Sequence, residues 1–124
     1  MNIPENLLYT KEHEWVRVEN DKIFIGITEY AQEQLGDITY VELPSPGKIV
    51  QIGDDLAVIE SVKAASDVFA PVSGVVDSVN EQLDDSPEKI NQSPYEEGFL
   101  CSLKDFDKTE LEKLMSAENY KKIL

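Results

Sequence analysis

The chain has 124 residues, and its 25 acidic and 11 basic side chains give a formal charge of −14 at neutral pH. We expect residues 1–124 to form one domain, because this length can enclose a hydrophobic core without disulfides or metals. The charge argues against binding to nucleic acids or anionic membranes, since both are themselves negative. A hydrophobic content of 41% is sufficient for folding and disfavours a disordered acidic tail.

The beginning of the chain and its single cysteine bear on location. Residues 1–6 have neither a basic segment nor an apolar run, so we predict no signal or transit peptide, and no apolar stretch is long enough to span a membrane. With Cys101 as the only cysteine, an intramolecular disulfide is impossible and a reducing compartment is favoured. A bacterial cytoplasm is the simplest location, and an organelle, after loss of a presequence, is the alternative.

The first half of the chain predicts a hairpin, a helix and a strand. Strand-forming residues at 15–18 and 22–27 flank a polar turn, which is typical of a β-hairpin. Thr28 is suited to cap a helix over residues 29–35, and Gly36 to end it. Residues 38–43 alternate as a strand does, and Pro44 stops them because proline cannot donate to a ladder.

An internal repeat occupies residues 44–83, with a spacing of 27 residues. Each copy predicts a turn, a strand, a tight turn and the start of another strand, with Gly53 and Asn80 at equivalent turns. Two copies imply a pseudo-two-fold β unit in which each half covers the apolar face of the other. The repeated positions are Pro44, Gly47, Ile49, Ile52, Gly53, Asp54 and Leu56, followed by Pro71, Gly74, Val76, Val79, Asn80, Glu81 and Leu83.

Short helices and one strand are predicted for the remainder. Ser86 and Pro87 favour a brief helical turn, and residues 98–103 a final strand. Thr109 and Glu112 form a capping-box pattern, so we expect a C-terminal helical segment over about residues 109–124. The predicted fold is therefore mainly β, an antiparallel core with a few short peripheral helices.

The side chains do not indicate an enzyme. A zinc site needs three or four suitable ligands, whereas the chain has one histidine and one cysteine, far apart in sequence. Cys101 alternates with Phe99 and Leu103 on one predicted strand face, which favours a buried, inert thiol. Nucleophile-elbow, P-loop and dinucleotide-binding patterns are missing from the sequence.

Lys63 is the most informative single residue, because it lies at the predicted turn between two strand-forming stretches and between the repeat copies. A lysine at a hairpin tip is a poor catalytic base, since nothing desolvates it, but its small neighbours leave it accessible to a modifying enzyme. The alternative is an ordinary exposed lysine. His13 has two interpretations as well: a half-exposed ring beside an aromatic residue, or part of a charged entrance facing Lys63.

Residues 60–67, followed by residues 70–74, resemble the lipoylation motif of glycine cleavage system H proteins, a family of lipoyl carriers in the biotinyl/lipoyl-like superfamily. The likeness extends over nearly the whole chain. Further matching positions are Tyr9, His13, Glu14, Trp15, Gly26, Thr28, Ala31, Leu35, Gly36, Val41, Pro44, Asn80, Ile90, Asn91, Pro94 and Tyr95.

The resemblance implies a barrel-sandwich hybrid, or hammerhead, fold and lipoate in amide linkage to Lys63. The recognition turn for the attaching enzyme would be Glu60, Ser61, Val62 and Ala64. It implies a non-catalytic carrier that moves an aminomethyl group among enzymes while the cofactor supplies the chemistry. The implied partners are a pyridoxal-phosphate glycine decarboxylase, a tetrahydrofolate-dependent aminomethyltransferase, dihydrolipoyl dehydrogenase and a lipoate ligase or transferase; a monomer is expected.

The family pattern and the acidic segment near residue 12 also suggest a cleft for the loaded arm. The aminomethyl cargo is cationic, and Glu14 and Asp67, with His13 beside them, are the side chains that we expect to receive it.

Other carriers and other classes of protein are the alternatives to this hypothesis. Lipoyl domains of 2-oxoacid dehydrogenases typically have Asp before the lysine, where this chain has Val62, and biotinyl carriers have Met on both sides. An H-like protein that relays lipoate to other apoproteins stays open, as does an unmodified acidic adaptor. A small hydrolase is disfavoured, because no nucleophile is paired with a base.

Overall fold

The computed structural model describes residues 1–124, which form two antiparallel sheets and a few short helices. The six-stranded sheet has the order β1 (Leu8–Tyr9), β2 (Glu14–Glu19), β3 (Lys22–Ile27), β9 (Cys101–Lys104), β8 (Gly74–Val79) and β5 (Ile49–Val50). The three-stranded sheet has the order β4 (Ile38–Glu42), β6 (Asp55–Ser61) and β7 (Ala65–Phe69). The helices are α1 (Glu29–Leu35), α2 (Gln82–Asp85), α3 (Lys89–Gln92), a 3-10 helix (Lys108–Lys113) and α4 (Ala117–Lys121). The predicted mainly β fold is confirmed.

The elements predicted for the first half are confirmed. Strands β2 and β3 pair from Glu14 opposite Ile27 to Glu19 opposite Lys22, which leaves a two-residue turn. The Thr28 hydroxyl accepts a hydrogen bond from the Ala31 amide at the start of α1. Local signals were sufficient here, because hairpin and helix caps depend on residues close in sequence.

The repeat is visible in the pairing of strands, but its second copy ends differently from the prediction. Strands β5 and β8 pair with each other, and β4 and β7 lie on either side of β6. The predicted strand start near Leu83 is wrong, because this residue is buried in α2. Asn80 does not adopt a left-handed backbone; instead, its side chain donates to the Glu97 and Phe99 carbonyls. The chain therefore still turns after β8, with the Leu83 amide donating to the Asn80 carbonyl at 3.1 Å, but without a left-handed residue and into α2 rather than a strand.

The C-terminal segment is also divided, where one helical stretch over 109–124 was predicted. The 3-10 helix is capped by Asp107 rather than Thr109, and the chain is extended at Leu114. Met115 then exchanges backbone hydrogen bonds of 2.9 and 2.8 Å with Tyr9 of β1, before α4 begins. This β-bridge interrupts the helix, since a tertiary pairing provides partners that outweigh local helix preference.

Three groups of buried side chains form the hydrophobic core, one of which packs Trp15 with Tyr9, Tyr95 and Tyr120. Cys101 is fully buried, and burial raises the pKa of its thiol to about 12. The predicted burial of this thiol is confirmed. No helix in the structure combines the length and hydrophobicity needed to cross a membrane.

Close contact between Trp15 and Gly26 fixes the position of the start of β2. Trp15 is fully buried, and its Nε1 donates to the Pro94 carbonyl at 3.0 Å. A Cβ on Gly26 would lie 2.6 Å from the indole atoms, well inside van der Waals contact. This packing positions His13 and Glu14, which directly precede Trp15.

Replacement of Gly26 by alanine should therefore destabilise the protein by about 1–3 kcal/mol through overpacking. The measurement is urea unfolding of the parent and of Gly26→Ala. In a Trp15→Phe background the same change should cost less, because the smaller ring leaves room for the methyl group. An equal cost in both backgrounds would show that the indole is not the obstacle.

Candidate functional site

Lys63 lies at the tip of the hairpin between β6 and β7, where the sequence placed it. The residue is exposed, and so are its neighbours Val62 and Ala64. Val62 exposes 70% of its surface although it is apolar. A macromolecule can therefore approach the lysine from several directions without unfolding the hairpin.

The Ser61 hydroxyl organises the tip. Its Oγ accepts hydrogen bonds from the Lys63 amide at 3.3 Å and the Ala64 amide at 3.1 Å, and it donates to the Ala64 carbonyl at 3.2 Å. The Ser61 amide also donates to the Ala64 carbonyl at 2.7 Å. One short side chain therefore satisfies two backbone amides of the turn, as serine often does in turns.

The tip is tethered to the end of α1. The Val62 amide donates to the Asp37 carbonyl at 3.0 Å. The Lys63 side chain lies over Gly36, since a Cβ there would be 3.7 Å from the lysine Cε. The lysine is thus exposed but has a defined position relative to the helix.

A groove of about 170 Å³ lies between α1, β7 and the segment that leads into β2. The predicted cleft residues His13, Glu14 and Asp67 all line it. The helix contributes Tyr30, Ala31, Gln34 and Leu35, and the rest of the lining is Glu12, Ile27, Ile59, Ser66 and Val68. Since α1 leads directly to Gly36, the groove extends along the helix away from Lys63.

Glu14 is the buried carboxylate of the groove, exposing only 2% of its surface. Its Oε1 accepts from the Thr10 hydroxyl at 2.6 Å, and its Oε2 accepts from the Phe69 amide at 3.1 Å. Burial raises the pKa of this carboxyl, although both hydrogen bonds oppose the shift and the charge of Glu12 adds to it. Asp67, by contrast, is exposed.

His13 is half-buried and has a left-handed backbone, with φ of 70°. Its Nδ1 lies 2.7 Å from the Tyr120 hydroxyl, and its ring is 4.7 Å from that of Tyr30. Burial lowers the pKa of the imidazole, while the charge of Glu12 acts in the opposite direction. No local pattern in the sequence indicates the role of Tyr120, which is 107 residues away from His13.

A larger cavity of about 470 Å³ lies on the other side of the same segment. It shares Glu12 and Glu14 with the groove, but its other walls come from the β1 region, the turn at Ile52 and Gly53, residues 69–71 and the C-terminal segment. Lys63 lines neither cavity. The groove is the one that leads towards the hairpin tip, because its lining includes Leu35, which directly precedes Gly36 under the Lys63 side chain, and Ser66 of β7.

Many known proteins are similar in sequence to this chain. The family model described as glycine cleavage H-protein matches residues 7–124. Proteins named glycine cleavage system H protein from Photorhabdus laumondii and Halothermothrix orenii are each 52% identical, covering 99% and 100% of this chain and 95% and 97% of theirs. A crystal structure of a glycine cleavage system H protein from Mycobacterium marinum superposes with a TM-score of 0.86 at 34% identity, covering 95% of both chains.

Loss of the Ser61 hydroxyl should loosen the tip without affecting the rest of the fold. In Ser61→Ala we expect the Lys63 and Ala64 amides to exchange about five-fold faster, the equivalent of roughly 1 kcal/mol for one hydrogen bond. Hydrogen exchange followed by NMR measures this directly. Ser45→Ala is the matched control, because Ser45 is exposed and its side chain makes no hydrogen bond; unchanged exchange in Ser61→Ala would contradict the assignment.

Proposed function

This chain belongs to the glycine cleavage H-protein family, and we propose that Lys63 is the residue on which it carries lipoate, in amide linkage. Its function is that of a lipoyl carrier in the glycine cleavage system. The observation that carries the proposal is the exposed lysine at an ordered hairpin tip beside a groove. The turn formed by Glu60, Ser61, Val62 and Ala64 is then what the attaching ligase or transferase recognises.

The dimensions of the site suit such an arm. A lipoyl-lysine side chain has about ten single bonds, which gives a reach on the order of 12–15 Å. Gly36, beside the Lys63 Cε, is six positions from Tyr30. At 1.5 Å per residue along a helix, this separation is about 9 Å. An arm anchored at Lys63 is long enough to reach the carboxylates and His13 at the far end of the groove.

Bound lipoate would supply the dithiolane that accepts and releases the aminomethyl group of glycine; the chain itself supplies placement. We propose that Glu14 and Asp67 receive the cationic cargo. Glu14 carries most of the effect, because a desolvated carboxylate interacts more strongly with a cation than an exposed one does. Both of its oxygens are already held by donors, so the charge is fixed in position before the cargo arrives.

Within this system the chain acts as a carrier without catalytic activity of its own. The reactions belong to the partners: glycine decarboxylase loads the arm, the aminomethyltransferase unloads it and dihydrolipoyl dehydrogenase reoxidises it. A net charge of −14 favours encounter with basic surfaces on these enzymes. We place this carrier, as a monomer and a single domain, in the bacterial cytoplasm.

Replacement of Lys63 by arginine should abolish lipoylation, since the guanidinium keeps the charge but cannot be acylated like an amine. With a lipoate ligase, intact mass should show the lipoyl increment on the parent and none on Lys63→Arg. Addition of purified glycine decarboxylase should then release carbon dioxide from glycine only with the modified parent, which also separates a glycine carrier from a lipoate relay.

Lys122→Arg is the matched control, because that lysine is exposed near the C-terminus and makes no side-chain hydrogen bond or ion pair. It should be modified like the parent. A lipoyl increment on Lys63→Arg would disprove the attachment site. A modified parent that fails to support carbon dioxide release would disprove the carrier role.

Retention of the cargo should depend on the two groove carboxylates to different extents. Glu14→Gln should release the aminomethyl group at least ten-fold faster, because a charged hydrogen-bonding partner in a buried site is lost. Asp67→Asn should accelerate release by roughly two- to five-fold, because exposed carboxylates contribute little. Intact mass against time measures the loss from loaded protein.

Asp84→Asn serves as the control, since Asp84 is exposed on α2 and does not line the groove. Urea unfolding should first establish that each variant is folded. Release from Glu14→Gln at the rate of the parent would rule out the buried carboxylate as the partner of the cargo.

A further inference from the structure

His13 is linked to the start of α1 by a continuous line of hydrogen bonds through Tyr120. The His13 Nδ1 lies 2.7 Å from the Tyr120 hydroxyl, which lies 2.8 Å from Thr28 Oγ1. Thr28 Oγ1 also accepts from the Ala31 amide at 3.2 Å. The side chain from α4 therefore connects the groove histidine with the residue that caps α1.

The protons of this line can be placed by counting donors and acceptors. Thr28 and Tyr120 are both fully buried, and each hydroxyl has one proton to donate. The partners of Thr28 Oγ1 are an amide, which can only donate, and Tyr120. The Thr28 proton must therefore point to the Tyr120 oxygen, and the Tyr120 proton must point to His13 Nδ1.

Hydrogen-bond donation in the opposite direction, from His13 through Tyr120 to Thr28, leaves a buried proton without an acceptor. If Nδ1 carried a proton, it would donate to the Tyr120 oxygen, and the Tyr120 proton would turn to Thr28. The Thr28 proton would then have no partner in a site without access to water. Buried polar groups are rarely left in this state, because the loss of hydration is not compensated. Both the imidazolium and the Nδ1–H tautomer require this reversed direction.

We propose that Tyr120 and Thr28 are positioning residues that hold His13 as a neutral imidazole with its proton on Nε2. Nε2, which takes part in no hydrogen bond with the protein, is then the donor available to a ligand in the groove.

The neutral state of His13 affects the electrostatic potential of the groove. That the cargo is a cation rests on the proposed function. His13 is the one groove-lining side chain that can become positively charged near neutral pH, because the lining contains no lysine or arginine. Its neutral state preserves the negative potential of the carboxylates for a cationic cargo. The ionisable groups that face it are Glu12, Glu14, Tyr30, Asp67 and Tyr120.

The experiment uses the unmodified chain, so its outcome does not depend on lipoylation or on the carrier role. His13 is the only histidine, and ¹⁵N–¹H NMR of its ring reports both the tautomer and the pKa without overlap. At pH values above the pKa of His13, the parent should show an unprotonated Nδ1 and a protonated Nε2. A protonated Nδ1 in the neutral ring would overturn the proposal, and this measurement requires no variant.

Tyr120→Phe removes the donor to Nδ1 and leaves most of the ring in place. Its His13 pKa should rise by about 0.4–1 unit, the equivalent of one net hydrogen bond, and the single tautomer should give way to a mixture. Tyr30→Phe is the matched control, since that ring lies 4.7 Å from His13 but its hydroxyl makes no hydrogen bond. An unchanged pKa and tautomer in Tyr120→Phe would also overturn the proposal.

Discussion

The carboxylate of Glu14 is the interaction on which the geometry of the site depends, because it joins the two sheets. Glu14 begins β2 of the six-stranded sheet, and its Oε2 accepts from the amide of Phe69, at the end of β7 in the three-stranded sheet. Strand β7 is an edge strand, so its outward amides have no neighbouring strand to pair with. A side-chain acceptor thus takes the place of a further strand, and the groove is the space that this arrangement leaves beside α1.

At the hairpin tip, hydrogen bonds hold the backbone in place but leave the Lys63 side chain unpaired. The Ser61 hydroxyl closes the turn, and the Val62 amide fastens it to the loop after α1. Nothing comparable holds the lysine ammonium. A modifying enzyme would therefore meet a backbone of fixed shape and a side chain that it could reorient at little cost, because the entropy of the turn has already been lost on folding. The same backbone would give the proposed lipoyl arm a defined origin.

Local features of this fold were predictable from sequence, and features made by distant residues were not. The β2–β3 hairpin, the Thr28 cap and the position of Lys63 depend on neighbouring residues. The β-bridge between Tyr9 and Met115 joins opposite ends of the chain, and no local pattern indicates it. The burial of Glu14 was missed for a similar reason: its sequence context is polar, while its partner Phe69 is 55 residues away.

The raised pKa of Glu14 has a thermodynamic counterpart in the binding of a cation. Burial makes ionisation of this carboxyl costly, and its two hydrogen bonds compensate only in part. A cationic cargo in the groove would stabilise the ionised form and return the pKa towards its usual range. Such coupling is reciprocal. The cargo therefore favours ionisation of Glu14 by the same free energy by which ionised Glu14 favours retention of the cargo. A neutral His13 keeps this coupling intact. A positive imidazolium beside Glu14 would already compensate the carboxylate before the cargo arrived.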